Sequence, residues 1–142
     1  MDCLTRLMED EGFESHAYKC PAGKWTIGYG RNIDIEGGKG ITMAEAARML
    51  ASDIDECERD LRDLFGPIFW GTMGRVRQNA LINMRFQMGA GGFRCFKKMI
   101  AALLERDYSR AAEEALDSRW AEQTPERAER VAEEIRSGVD LE

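Results

Sequence analysis

The chain has 142 residues, one domain's worth, long enough to bury roughly two thirds of the surface its unfolded form exposes. A composition of 44% hydrophobic and 32% charged residues is that of a globule and excludes disordered and fibrous classes. No run approaches about 18 apolar residues, no basic start leads into an apolar run, and the net charge is −6, so no membrane anchor, signal peptide or nucleic-acid partner is expected.

From the first residues, Leu4, Leu7 and Met8 fall on one helical stripe, and the next place on that stripe is Glu11, followed by Gly12. An acid that continues an apolar face is desolvated, which disfavours its charged form and suits a general acid. A helix-end glutamate turned to solvent is the competing reading. Residues 17–20 and 25–30 then read as two short strands joined by the turn chemistry of Pro21-Ala22-Gly23-Lys24, predicting a β-hairpin. Cys20 and Thr26 stand on its two arms. Thr26 alternates with Trp25 and Ile27 and so points to the opposite face; if that face looks back at Glu11, an acid, a thiol and a hydroxyl line one cleft. His16, the single histidine, reads as a surface residue.

Residues 31–40 read as a glycine-bearing loop or a brief third strand. Asn32, Asp34, Glu36 and Gly37 imitate the opening of a calcium loop, but Met43 stands where the bidentate acid is needed, so calcium is rejected. The four cysteines, Cys3, Cys20, Cys57 and Cys95, form no Cys-x-x-Cys pair, which argues against zinc. They are expected to be free thiols of a reducing cytoplasm, and neither a metal nor a cofactor is expected.

Thr42 with Glu45 makes a capping box that opens the longest helix. Met43, Ala47, Leu50, Ile54, Cys57, Leu61 and Leu64 repeat along it at steps of four and three, a seam that continues to Phe65 until Gly66-Pro67 stops it. Roughly 23 residues span about 35 Å, enough to bridge two lobes. A coiled-coil seam competes, but about three heptads are few, and a monomer is expected. The remainder reads as helices over 72–88, carrying Val76, Ala80, Leu81 and Met84 and ending at Gly89, then over 93–105 and 108–116. Asp107 is predicted to cap the helix over 108–116. Thr124 and Pro125 are predicted to start a last helix that ends near Ser137-Gly138.

Glu11, Cys20 eight intervening positions later, Thr26 five after that, and Ile27-Gly28-Tyr29-Gly30 form a first motif. With Asn83-x-x-Phe86-Gln87-Met88-Gly89, Ser118-Arg119-Trp120-x-x-Gln123-Thr124-Pro125-x-Arg127-Ala128 and the Thr42-led helix, the chain resembles the phage-type lysozymes. These are the T-even bacteriophage muramidases, glycoside hydrolase family 24, and the stretches run in the family's order over residues 1 to about 138. The resemblance implies an α+β, mostly α, lysozyme-like two-lobe fold. A small β-hairpin lobe (13–41) would be joined by a long linking helix (42–65) to a helical lobe (1–12 with 66–138).

It also implies an endolysin or muramidase that hydrolyses the β-1,4 bond between N-acetylmuramic acid and N-acetylglucosamine in bacterial peptidoglycan. Glu11 would be the general acid, with Cys20 and Thr26 assisting, Asn32 and Phe86 contacting substrate, and Arg127 supporting Glu11. The T-even enzymes carry an aspartate where Cys20 stands and invert the anomeric centre with a water oriented by the threonine; some members share the cysteine. A Cys20 thiolate can act as base for that water or stabilise the oxocarbenium-like transition state, whereas direct attack would give retention. A thiol near pKa 8.5 is only a few per cent ionised at about pH 7, so the site must lower that value for the role to be strong. The competing readings are a non-catalytic peptidoglycan-binding module and a lytic transglycosylase.

The resemblance further implies residence in the host bacterial cytoplasm until a separate holin-type pore protein gives access to the periplasm and cell wall. Compared with the T-even enzymes the region over 31–40 is short. Arg31 stands where the family commonly has a histidine, with an ion pair to Asp53 expected. Against the repulsion between an acidic protein and a polyanionic wall, Arg31, Lys97, Lys98, Arg119 and Arg127 read either as a local basic rim or as ordinary solvated charges.

Overall fold

The computed structural model describes residues 2–19, 25–28, 31–33 and 42–141, the strands by their backbone. The chain divides into two compact units, Asp2–Asp55 and Glu56–Glu142, with the division inside one long helix.

In the first unit, α1 (Cys3–Glu11) forms where the apolar stripe predicted it. Asp2 caps it, its carboxylate accepting from Thr5 N at 2.7 Å, and this hydrogen bond holds the Asp2 carboxyl below the usual carboxylate range. Leu7 is wholly buried and Cys3 nearly so. The helix stops at Gly12, whose φ of 68° and ψ of 163° lie in a region that side-chain-bearing residues avoid.

Three antiparallel strands follow in the order β1 (Glu14–Lys19), β2 (Trp25–Gly28) and β3 (Arg31–Ile33). The first starts earlier than the sequence suggested, and its pairing with β2 shifts between Glu14↔Gly28 and Tyr18↔Thr26. The third stands where a loop or brief strand was expected. The predicted turn at Pro21–Lys24, with Tyr29 and Gly30, and the calcium-like positions Asp34, Glu36 and Gly37 lie outside the described residues.

The linking helix α2 (Met43–Phe65) has the 23 residues expected of it. Thr42 Oγ1 accepts from Glu45 N at 3.1 Å, the N-terminal half of the predicted capping box. Its buried stripe is Ala46, Leu50, Ile54, Cys57, Leu61 and Phe65. The predicted seam is corrected at Met43, which is 63% exposed, and at Ala47 and Leu64, which are only half-buried, while Phe65, to which it was expected to continue, is buried. A straight helix turns every 3.6 residues or so, hence its buried face drifts away from a heptad repeat. The stripe is already buried within a single chain.

In the second unit Pro67 ends α2 and immediately starts another helix, α3 (Pro67–Thr72), which the sequence reading did not expect. Proline is suited to a first helical turn, where its missing N–H has no partner to lose. Trp70 on α3 is buried and lies parallel to Phe65 with ring centroids 6.2 Å apart. Thr72, predicted to open the next helix, is instead the last residue of α3, and its hydroxyl donates to Phe69 O at 2.6 Å. The next helix, α4 (Arg75–Arg94), starts after Gly74 and continues through a break at Gly89. Phe93 therefore belongs to the last turn of α4, and the predicted helix over 93–105 reduces to α5 (Lys97–Leu104).

The unit closes with α6 (Tyr108–Leu116), α7 (Arg119–Gln123) and α8 (Pro125–Ser137). Helix α8 packs on α4, α6 and α7. Ala111, Ala112 and Ala115 on α6, and Ala128 and Ala132 on α8, are all buried, and their small side chains allow the two backbones to approach. Asp107 caps α6 as predicted, accepting from Arg110 N at 3.1 Å. Thr124 does precede α8, but its hydroxyl donates back to Trp120 O at 3.0 Å and leaves α8 without a side-chain cap. At the other end, Gly138 has φ 71° and Arg77 donates to the carbonyls of Ile135 at 2.7 Å and Arg136 at 3.1 Å, satisfying acceptors the helix cannot. Among the described residues no helix is long and apolar enough to cross a membrane.

Candidate functional site

Glu11, Thr26 and Asn32 belong to the first unit, Phe86 and Arg127 to the second. Glu11 is the final residue of α1, half-buried, on the stripe led by Leu7 and directly before the turn at Gly12. Thr26 lies on the central strand, its Cα paired with Tyr18 on β1 and with Asn32 on β3. Two predicted site residues, Thr26 and Asn32, are thus direct cross-strand neighbours. Cys20 lies outside the described residues; β1 is described as far as Lys19, which pairs with Trp25.

In the second unit Phe86 is half-buried, in the turn of α4 that precedes Gly89. Its motif companions are held by side-chain hydrogen bonds to the other C-terminal motif. Asn83, only 3% exposed, accepts at Oδ1 from Arg127 Nε at 2.9 Å, and Gln87 Oε1 accepts from Trp120 Nε1 at 2.7 Å. Two stretches more than thirty residues apart in sequence are thereby joined, α4 to α8 by one bond and α4 to α7 by the other. Buried amides need such partners, because an unsatisfied one costs about 1–3 kcal/mol. Trp120 also meets Phe96 edge-on, ring centroids 6.4 Å apart, and Ser118 Oγ accepts from Ala121 N at 3.2 Å to cap α7.

Beside Trp120 opens a cleft of ≈ 490 Å³ whose apolar lining includes Met88, Phe96 and Trp120. Lys97, Lys98 and Arg119 reach it, and so do Glu114 and Asp117. Three members of the expected basic rim therefore gather in one place, but in a field of mixed sign. Arg127 is engaged with Asn83. Among the described residues no group of three or more His, Cys, Asp or Glu side chains is arranged to hold a metal ion. Cys3 and Cys57 are buried and Cys95 is exposed.

A charged cluster that the sequence reading missed ties α2 to α4. Asp60 Oδ2 accepts from Arg85 Nε at 2.9 Å and from Arg94 Nη1 at 3.0 Å, while Oδ1 accepts from Arg94 Nη2 at 2.7 Å. The Arg94 hydrogen bond, then that of Arg85, pull the Asp60 carboxyl down to about 2. Arg85 also donates to Cys57 Sγ at 3.5 Å. The available signal was two arginines flanking Gly89 in an otherwise apolar stretch, with an acid on the long helix.

A family model described as Phage lysozyme matches residues 8–133, a span that contains every predicted site residue. The chain is 35% identical to the "Pre-baseplate central spike protein Gp5" of Enterobacteria phage T4, over 97% of its own length and 28% of that protein's. It is 31% identical to "Probable T4-type lysozyme 2" of Dictyostelium discoideum, over 94% of this chain and 92% of the relative. It is 29% identical to the "SAR-endolysin" of Haemophilus phage HP1, over 66% of this chain and 48% of the relative.

Proposed function

Because this chain belongs to the phage lysozyme family, a family of glycosidases, we propose that it hydrolyses bacterial peptidoglycan at the β-1,4 bond between N-acetylmuramic acid and N-acetylglucosamine. The observation that carries the proposal is the family match over 8–133, which takes in Glu11, Cys20, Thr26, Asn32, Phe86 and Arg127 together. The proposed architecture is that of the family: a small β-hairpin lobe over 13–41, a linking helix over 42–65, and a helical lobe from 1–12 with 66–138.

Glu11, at the end of an apolar stripe, gives its proton to the glycosidic oxygen as the leaving sugar departs. On the far side of the ring a water is held by Thr26 and activated by Cys20 as thiolate, and it attacks the anomeric carbon from the face opposite the leaving group. Asn32, Thr26's neighbour in the sheet register, and Phe86 on α4 contact the glycan. Arg127 supports Glu11 by offsetting its negative charge and holding the side chain in position. The protein works as a monomer, is held in the host cytoplasm and reaches the wall through a holin-type pore.

The test is turbidity loss of peptidoglycan-bearing cells with the native chain and with Glu11→Gln. Loss of clearance in Glu11→Gln supports the acid; equal clearance sinks it, and a native chain that binds walls without clearing them is a glycan-binding module. A product ending in an anhydro ring instead of a reducing end identifies a lytic transglycosylase. Cys20→Asp is expected to keep activity and Cys20→Ser to lose most of it; a fully active Cys20→Ser removes the thiol from the mechanism.

A further inference from the structure

Phe86 and Gln87 sit in the last turn of α4 before Gly89, where φ 79° and ψ 169° interrupt the helix. Glycine backbone is permissive, so a helix broken at such a residue has no angle of its own between its halves. Here both halves are tied to one carboxylate on α2. Arg85 reaches Asp60 from before the break at 2.9 Å, and Arg94 reaches both of its oxygens from after the break at 3.0 and 2.7 Å. Arg94 also donates to Ala90 O, the first carbonyl beyond the glycine, at 3.2 Å. Helix α2 is unbroken through this region and acts as a rigid bar.

We infer that Asp60 is a positioning residue, a two-sided clamp that sets the angle of α4 at Gly89 and thereby the placement of Phe86 and Gln87 for the glycan. The functional half of this inference rests on the reading of the chain as a glycan-cleaving enzyme; the mechanical half does not. The cluster differs from a surface ion pair. Asp60 and Arg85 are 21% and 14% exposed, and the bond to Arg94 is bidentate. The molecule carries its own control, the Glu58–Arg75 pair, which joins the same two helices at 2.8 Å but entirely before the break, with Arg75 61% exposed.

The experiment follows the Trp120 indole N–H resonance, which reports the bond to Gln87, beside KM and kcat on soluble glycan chains, in Asp60→Asn, Arg94→Gln, Asp60→Glu and Glu58→Gln. Asp60→Asn and Arg94→Gln are expected to shift the indole signal and raise KM roughly tenfold with kcat kept within about twofold, as misplacement of a contact does. Asp60→Glu is expected to recover part of both, and Glu58→Gln to leave both as in the native chain. Arg94→Gln keeps the Arg85 bond and serves where Asp60→Asn fails to fold. An indole signal unmoved in folded Arg94→Gln overturns the clamp whatever the activity, and a moved signal with native KM overturns its role in glycan placement. Full activity in Glu11→Gln is a separate failure, that of the enzyme reading, and leaves the indole result standing.

Discussion

Glu11 and Met88 are each followed by a glycine in nearly the same backbone state, φ 68° and ψ 163° at Gly12, φ 79° and ψ 169° at Gly89, yet the chain then does opposite things. After Gly12 it leaves helical structure for β1; after Gly89 the helix resumes. Crowding explains neither glycine, since a Cβ at either position would meet nothing within 4 Å. Backbone conformation alone demands them. What differs is the tether beyond: Arg94 binds Asp60 and the Ala90 carbonyl, so the segment after Gly89 is held against the same long helix as the segment before it. A glycine decides where a helix stops, and the contacts that follow decide whether it starts again.

The comparison can be tested from its largest effect downward. Replacing the acid before the first glycine, Glu11→Gln, is expected to slow clearance of cell walls by at least about 100-fold while leaving the denaturation midpoint unchanged, as removal of a general acid does. A comparable fall in stability would show that Glu11 is structural. Removing the tether beyond the second glycine, Asp60→Asn, is expected to cost about 2–3 kcal/mol in denaturant unfolding, because two half-buried guanidiniums then face a neutral amide.

The same carboxylate makes a prediction in pH. The folded value of about 2 is depressed below the ordinary 3.8, so its contribution is fully present above the ordinary value and is lost as pH falls through the folded one. The native chain is therefore expected to lose about 2 kcal/mol more than Asp60→Asn on acidification across that window. Parallel acid-unfolding curves for the two chains would remove the ion cluster from the stability of the fold.

Gly12→Ala and Gly89→Ala are each expected to cost about 1–3 kcal/mol, both by the same backbone mechanism. A much larger cost at one of them would mean that its neighbours, not its φ, require glycine. The smallest effect belongs to the caps. Asp2→Ala is expected to destabilise by about 1 kcal/mol, and Thr124→Ala by less as far as α8 is concerned, since the Thr124 hydroxyl serves Trp120 O and not the α8 amides.

Local signals read well in this chain where the rule is itself local. Helix α1, the 23-residue α2 opened by Thr42, the Asp107 cap and the Pro125 start all follow from residues within a few positions of one another. The reading failed where a breaker was taken as an end. Gly66-Pro67 does stop α2, but buried Trp70 makes the next turn worth forming, and Gly89 stops a helix whose continuation is secured from another element. Of the candidate site, the residue types and their spacing were visible, and so was the family; the bonds that join Asn83 to Arg127 and Gln87 to Trp120 were not, because nothing in a one-dimensional pattern pairs residues so far apart.

By itself the sequence determined the mostly helical character, the main caps and breaks, and family membership, because each depends on side-chain chemistry at fixed short offsets or on whole motifs kept in order. Only the tertiary structure decided that Asp60 would gather Arg85 and Arg94 from the two sides of one glycine, and that two distant motifs would meet through an amide and an indole. Those pairings depend on the angle at which packed helices cross, a property of the filled core as a whole and of no single stretch of chain.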